Sequence, residues 1–216
     1  LNVFGIRNFI LLIFFICIFR INFYIKKYKG QFELSFSELA KKNQIDYYKT
    51  KSPNSKDFID WVKNNDIDLI IIMVGHILKP EIIESPKIGI INKHASLLPS
   101  NKGVFPYFWA KIKAESQGVS FHFVNEKIDE GKVIYQKEIK EKKILSSLIQ
   151  FYYYCYNEYG KMLDLTLSNV MFDNETIIKD NISPSYYGLP TKKDFQEFSK
   201  KGGRIINIQD LLIFKK

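Results

Sequence analysis

Apolar and polar positions alternate along the chain from residue 31 onward in a way that predicts helices and strands in turn. Ser35-Phe36-Ser37-Glu38 has the spacing of a capping box, in which serine and glutamate satisfy orphan backbone N–H groups reciprocally, and opens a short helix through Leu39-Ala40 to Lys42. Residues 45–49 read as a short strand and Ser52-Pro53-Asn54 as a turn. Ser55 then caps a helix whose Phe58, Ile59 and Val62 recur at helical steps. Residues 67–74 are apolar on both faces after Asp68, the pattern of a central parallel strand, and Gly75 ends them. Ile82-Ile83 fall in a helical turn. Ile88-Gly89-Ile90-Ile91 is the next strand, and it delivers Asn92 and His94 to its C-terminal end, the edge at which open α/β sheets hold ligands. Residues 118–124 and 133–135 form a strand pair flanking Asp129. Leu145, Leu148, Ile149, Tyr152, Cys155, Tyr156, Tyr159 and Leu163 recur at three- and four-residue steps and predict a long amphipathic helix, with the Tyr152-Tyr153-Tyr154 run in its packing. The pattern predicts an α/β domain with a mostly parallel sheet over residues 1–180. A small C-terminal extension follows over 181–216, with a short helix near 194–200 and a final apolar stretch.

The first thirty residues are atypical. Residues 9–19 are an unbroken apolar run bounded by Arg7 and Arg20 and followed by Ile21-Asn22-Phe23-Tyr24-Ile25-Lys26-Lys27. As a helix this run spans about 16 Å, against the roughly 30 Å of a bilayer core. A secretory signal fits the length, but no small-residue cleavage site precedes the lysines. The favoured expectation is a buried strand and helix of the domain, with no membrane role. A membrane anchor and a truncated or misread start are the alternatives, since the chain opens on Leu.

A chain of 216 residues can bury a core of its own and is too short for two large domains. Its 32 Lys+Arg against 23 Asp+Glu give a net charge of +9. The lysines are spread out, with neither an arginine-rich stripe nor aromatic-basic interleaving, which argues against nucleic acid and leans toward a phosphorylated small molecule. Cys17 and Cys155 lack C-x-x-C spacing and read as buried apolar residues of a reducing, cytoplasmic compartment. His76, His94 and His122 have no Cys or His partners at zinc spacing, so no metal is expected.

Asn92 and His94 lie two residues apart on an extended segment and so share a side, and Asp129 follows on a loop able to close over them. The amide can donate to an oxyanion, the imidazole can take an amine's proton, and the carboxylate can orient the imidazole and hold its charged form. That set can run acyl transfer to an amine.

The motifs around it carry a resemblance. Asn92-Lys93-His94-Ala95-Ser96-Leu97-Leu98-Pro99, then Gly103, Pro106 and Trp109, then Gly118-Val119-Ser120-Phe121-His122, then Asp129-Glu130-Gly131 stand in the order of the 10-formyltetrahydrofolate-dependent formyltransferases, which this chain resembles over roughly residues 67–139. The resemblance implies a Rossmann-like formyltransferase fold, 10-formyltetrahydrofolate as cosubstrate, and Asn92, His94 and Asp129 as the catalytic residues. It implies that Gly75, His76, Ile77 and Leu78 hold the folate's pterin through backbone and apolar contacts, with the His76 side chain not catalytic. Asn125 and Lys127 fall on the loop that closes over the folate, and His122 is given a structural role.

The same resemblance narrows the acceptor. Formylases of methionyl-tRNA carry a further basic C-terminal domain, and those of glycinamide ribonucleotide open with a Gly-rich phosphate loop where this chain has Phe4-Gly5-Ile6-Arg7-Asn8. Nucleotide-sugar N-formyltransferases often end on a motif similar to Tyr186-Tyr187-Gly188-Leu189-Pro190-Thr191-Lys192-Lys193-Asp194-Phe195. The expectation is therefore a homodimeric enzyme acting on a dTDP-linked amino-dideoxyhexose for O-antigen or lipopolysaccharide synthesis. In it Tyr186 or Tyr187 stacks on the base, and lysines, Lys102 among them, meet the diphosphate.

Overall fold

The computed structural model describes residues 6–29, 35–140, 147–172, 178–179 and 181–210. Helices α1 (Ile6–Tyr28), α2 (Phe36–Lys42) and α3 (Lys56–Asn64) precede strand β1 (Leu69–Ile72), helix α4 (Pro80–Ile83) and strand β2 (Gly89–His94). Strand β3 (Lys102–Gly103), helix α5 (Pro106–Lys113), strands β4 (Gln117–Phe123) and β5 (Val133–Ile139), helix α6 (Leu148–Phe172), strand β6 (Tyr186–Tyr187) and helix α7 (Lys192–Lys200) follow. The α/β class stands. Among the described residues, however, the main sheet is mixed: its order is β1-β2-β4-β5, with β1 parallel to β2 and the other two pairings antiparallel.

Local chemistry explains the helix starts. Ser35 and Glu38 form the capping box that opens α2, the Ser55 hydroxyl accepts from the Phe58 N–H at α3, and Thr191 and Asp194 form a second box at α7. Residues 45–49 are not a strand, because no described strand lies beside them to take up their backbone groups. For the same reason β1 is not central. It lies at the edge of the described sheet, with Ile71 exposed.

The core lies between the sheet and α5, α6 and α7. Tyr107 and Phe108 of α5, Phe121 of β4, Phe151 of α6 and Phe198 of α7 are fully buried, and Phe108 stacks on Phe198 with ring centroids 4.5 Å apart. The C-terminal segment is thus stitched to the domain twice, by this packing and by the parallel pairing of β3 with β6. A smaller cluster of Val62, Leu78, Ile82 and Ile90 fixes α3 and α4 against β1 and β2. Leu145 and the final apolar stretch beyond residue 210 lie outside the described residues.

The favoured expectation for the N-terminus is overturned. Residues 6–28 form one helix of 23 residues, and none of Phe9–Lys26 is buried. Over residues 9–19 its side chains are apolar round the whole circumference, so no polar face is left there to meet water when any one side packs.

Candidate active site

Strand alternation places Asn92 and His94 on one face of β2 and sends Lys93 to the other, where its ammonium sits 4.8 Å from the ring centroids of Tyr156 and Tyr159. The residues after His94 then return the chain beneath it. Ser120 of β4 donates its hydroxyl to the Ser96 carbonyl at 2.6 Å and accepts from the Leu98 N–H at 3.1 Å, and Gln136 donates to the Leu98 carbonyl. Leu97 and Leu98 are buried in the same turn. Its outcome is that Asn101, in the left-handed region, presents its carbonyl to His94 Nε2 at 2.9 Å. A carbonyl only accepts, so Nε2 carries the proton and Nδ1 is the basic nitrogen of the neutral ring.

His94 Nδ1 faces Asp129. One carboxylate oxygen, Oδ2, is 3.6 Å from Nδ1 and accepts the Gly103 N–H at 2.9 Å, while Oδ1 is 3.5 Å from His122 Nε2. Two glycines make this approach possible. A Cβ on Gly103 would meet the Tyr187 carbonyl at 2.3 Å, and one on Gly131 would meet the Phe123 carbonyl at 1.7 Å. Asp129 itself is held at φ 53°, a backbone region that a non-glycine residue enters at a cost.

His122 does more than the structural role implied for it. Its Nδ1 donates to the Phe123 carbonyl at 2.8 Å, and its Nε2 makes it the second histidine against Asp129. The antiparallel register sets His122 opposite Asn92, so both face one side of the sheet. Alternation within Gly118-Val119-Ser120-Phe121-His122 was the available signal, but without the strand pairing it named no partner.

Burial acts most strongly on His94 and lowers its pKa; the Asp129 carboxylate and the Asn101 carbonyl raise it in part, His122 lowers it further, and the net position is below the usual 6.5. For Asp129, burial is also the largest influence and acts upward, but His122, His94 and the Gly103 N–H together outweigh it and hold the carboxyl below its usual 3.8. At neutral pH the pair is a carboxylate beside a neutral, basic imidazole. A base in this state works above its pKa, so kcat/KM is expected to be flat at and above pH 6.5 and to fall as pH drops through the lowered His94 value, about tenfold per unit. Stability follows the same sign. Both folded-state values are depressed, so the unfolded chain binds more protons, and stability present above pH 6.5 is lost on acidification, first through His94 and then, below 3.8, through Asp129. A pH–rate profile with parallel urea titrations checks both; an acid limb that lies above pH 6.5, or activity with no acid limb at any pH at which the protein stays folded, contradicts the assignment of the base.

These groups open into a cavity of about 520 Å³. Its lining includes the polar groups of Asn92, His94, His122 and Asp129 together with Gly75, His76, Ile77, Leu78, Asn125 and Lys127. Its size and mixed polar and apolar lining suit a flat heterocycle with a polar tail. Tyr186, more than half exposed, stands at the rim. Two expected substrate contacts do not line the cavity. Lys102 is buried with its ammonium 2.5 Å from Glu130, and Tyr187 stacks on Trp109 at 4.7 Å. Glu130 was not singled out in sequence; its carboxylate meets the Lys102 ammonium and lies 3.7 Å from that of Lys127. No cluster of three His, Cys, Asp or Glu able to hold a metal occurs among the described residues.

Known proteins agree with this construction. The family described as formyl transferase matches residues 24–147. The chain is 39% identical over 104 residues to the methionyl-tRNA formyltransferase of Clostridioides difficile, covering 47% of this chain and 34% of that protein. It is 28% identical over 184 residues to the bifunctional polymyxin resistance protein ArnA of Wigglesworthia glossinidia brevipalpis, covering 82% of this chain and 28% of that one. The chain thus spans about a third of the length of these curated relatives. Among solved structures, the formyltransferase PseJ from Anoxybacillus kamchatkensis shares the fold with a TM-score of 0.56 at 22% identity, over 82% of this chain and 94% of that one. A 4-N formyltransferase from Francisella tularensis does so with a TM-score of 0.54 at 21% identity, over 71% and 60%. With the Asn92, His94 and Asp129 constellation in place and the family's pattern covering more than half of its length, the chain belongs to the formyl transferase family.

Proposed function

We propose that this protein transfers the formyl group of 10-formyltetrahydrofolate to the amine of a nucleotide-linked amino-dideoxyhexose. The observation that carries the reading is the convergence of Asn92, His94 and Asp129 in one cavity that the Gly75, His76, Ile77 and Leu78 segment also lines. The cosubstrate supplies a formyl carbon activated on nitrogen. The chain's own groups do the rest. The acceptor amine bonds to the formyl carbon; Asn92 donates its side-chain N–H to the formyl oxygen as that oxygen takes up charge, His94 Nδ1 receives the proton that the amine sheds, and Asp129 stabilises the imidazolium so formed. The bond from the formyl carbon to the cosubstrate nitrogen then breaks, and that departing nitrogen takes the proton back from His94. The Asn101 carbonyl keeps the ring in the tautomer that leaves Nδ1 free for the task.

The sugar-nucleotide acceptor is favoured by Tyr186, an aromatic at the cavity rim placed for stacking on a base. It is supported by the ligands of two fold neighbours: PseJ with UDP-4,6-dideoxy-4-formamido-L-AltNAc and tetrahydrofolate, and the Helicobacter canadensis N-formyltransferase with folinic acid and dTDP-3-aminofucose. The sequence relatives named methionyl-tRNA formyltransferase favour a second reading, with charged tRNA as acceptor. A panel of dTDP- and UDP-aminosugars, methionyl-tRNA and glycinamide ribonucleotide, each assayed with 10-formyltetrahydrofolate, separates the two. Turnover of an aminosugar is expected, with Tyr186→Ala raising its KM about tenfold, from the roughly 1–3 kcal/mol that stacking contributes per base. Turnover of methionyl-tRNA alone overturns the acceptor.

A further inference from the structure

We infer that α1 is a transmembrane anchor that tethers the catalytic domain to the cytoplasmic face of an anionic lipid bilayer. Three independent features of the helix lead there. The first is dimension: Phe9–Lys26 is an apolar stretch of 18 residues with a mean hydropathy of 2.1, about 27 Å long at 1.5 Å per residue, close to the roughly 30 Å of a hydrocarbon core. Residues 9–19 alone are too short to cross, and a full span has to take in Arg20 and Asn22. The continuous helix through Tyr28 does so, carrying Ile21, Phe23, Tyr24 and Ile25 beyond Arg20.

The second feature is surface. None of Phe9–Lys26 is buried, and Ile10, Ile13, Phe14, Ile16, Ile21 and Ile25 are each between 45% and 59% exposed. A helix that docks on a protein shows an apolar stripe with a polar face opposite; over residues 9–19, three turns, this one is apolar on every side, as suits a helix surrounded by hydrocarbon.

The third is charge. The helix contains no Asp or Glu, and its basic residues are unevenly placed: Arg7 alone lies at the far end, while Arg20, Lys26, Lys27 and, just beyond, Lys29 lie toward the end that leads into the domain, with Tyr24 and Tyr28 beside them. Tyrosines and lysines at one end form an interfacial belt, and the excess of positive charge there orients that end toward the cytoplasm and its anionic lipids. Arg20 lies six residues before Lys26, about 9 Å up the helix axis, within reach of the same interface for a snorkelling guanidinium.

The inference is independent of the acceptor and of catalysis, and its test reads lipid binding alone. The full chain is expressed, its membranes are washed with high salt and alkaline carbonate, and the purified protein is floated with vesicles of phosphatidylethanolamine and phosphatidylglycerol. The expected result is retention through both washes, release only by detergent, and co-flotation that survives high salt. Phe14→Asp combined with Ile16→Asp, placed on exposed positions outside the core, is expected to lower vesicle partition at least about tenfold while circular dichroism and urea denaturation of the domain stay as in the parent. Four outcomes overturn the inference: a soluble chain that does not float, release by salt, recovery of a chain from which residues 6–28 have been cut, or helix-mediated self-association without lipid, read as Cys17–Cys17 cross-linking in solution.

Discussion

His94→Ala is expected to retain its fold and to lose formyl transfer by about 10³-fold in kcat, within the range for removal of a positioned general base. The substitution deletes Nδ1, the acceptor of the amine's proton, and leaves the Asn101 carbonyl without its donor, a cost of about 1–3 kcal/mol if no water replaces it. Urea denaturation measures that cost separately from turnover, and folate affinity is expected to change little, because the Gly75, His76, Ile77 and Leu78 lining is left intact. Asp129→Asn supplies a readout that a merely structural role would not move. The Asp129 charge raises the His94 pKa, so removing it lets burial depress that pKa further, and the acid limb of the pH–rate profile moves to lower pH as kcat falls. An acid limb that stays in place, or a His94→Ala protein that turns over within a few-fold of the parent, sinks the assignment.

Gly131→Ala is expected to be nearly as damaging, by a different route. Its new methyl would lie 1.7 Å from the Phe123 carbonyl oxygen, which is backbone and cannot rotate away. Relief requires the 129–131 turn or the end of β4 to move, at roughly 1–3 kcal/mol by analogy with other overpacked sites. The displaced carbonyl is the acceptor for His122 Nδ1, and the displaced turn carries Asp129, so the carboxylate and its His122 partner shift together. A displacement near 1 Å at a catalytic group costs about 10²-fold in rate. The prediction is a lowered urea midpoint together with a kcat reduced about 10²-fold; a variant with parent stability and parent kcat would show that the turn is not held by this contact. Ordinary turn glycines tolerate alanine far better. That contrast separates the D-x-G spacing of this site from a generic loop.

Parts of the site were legible without coordinates. Asn92 and His94 share a face because a strand alternates with period two, and Ile88-Gly89-Ile90-Ile91 before them marks the strand. The capping box at Ser35 and the amphipathic α6 were equally local, each being a matter of residues three or four apart. Lys102 was not legible. Its type and its place beside the motif suggested a free cation, but Glu130, brought against it from a loop 28 residues on, neutralises it. Tyr186 and Tyr187 are adjacent in sequence and opposite in role, because pairing of β6 with β3 turns one toward the cavity and the other onto Trp109.

The boundary between the two sources of information is therefore one of range. Sequence alone determined which residues could do acyl-transfer chemistry, which of them share a strand face, and where helices begin, since these depend on covalent spacing and on backbone groups a few residues apart. Tertiary structure decided which imidazole nitrogen is basic, that His122 joins His94 on Asp129, that the sheet is mixed, and that α1 stands outside the core. Each of those depends on a partner far along the chain, and periodicity can say that a surface is apolar but not what covers it.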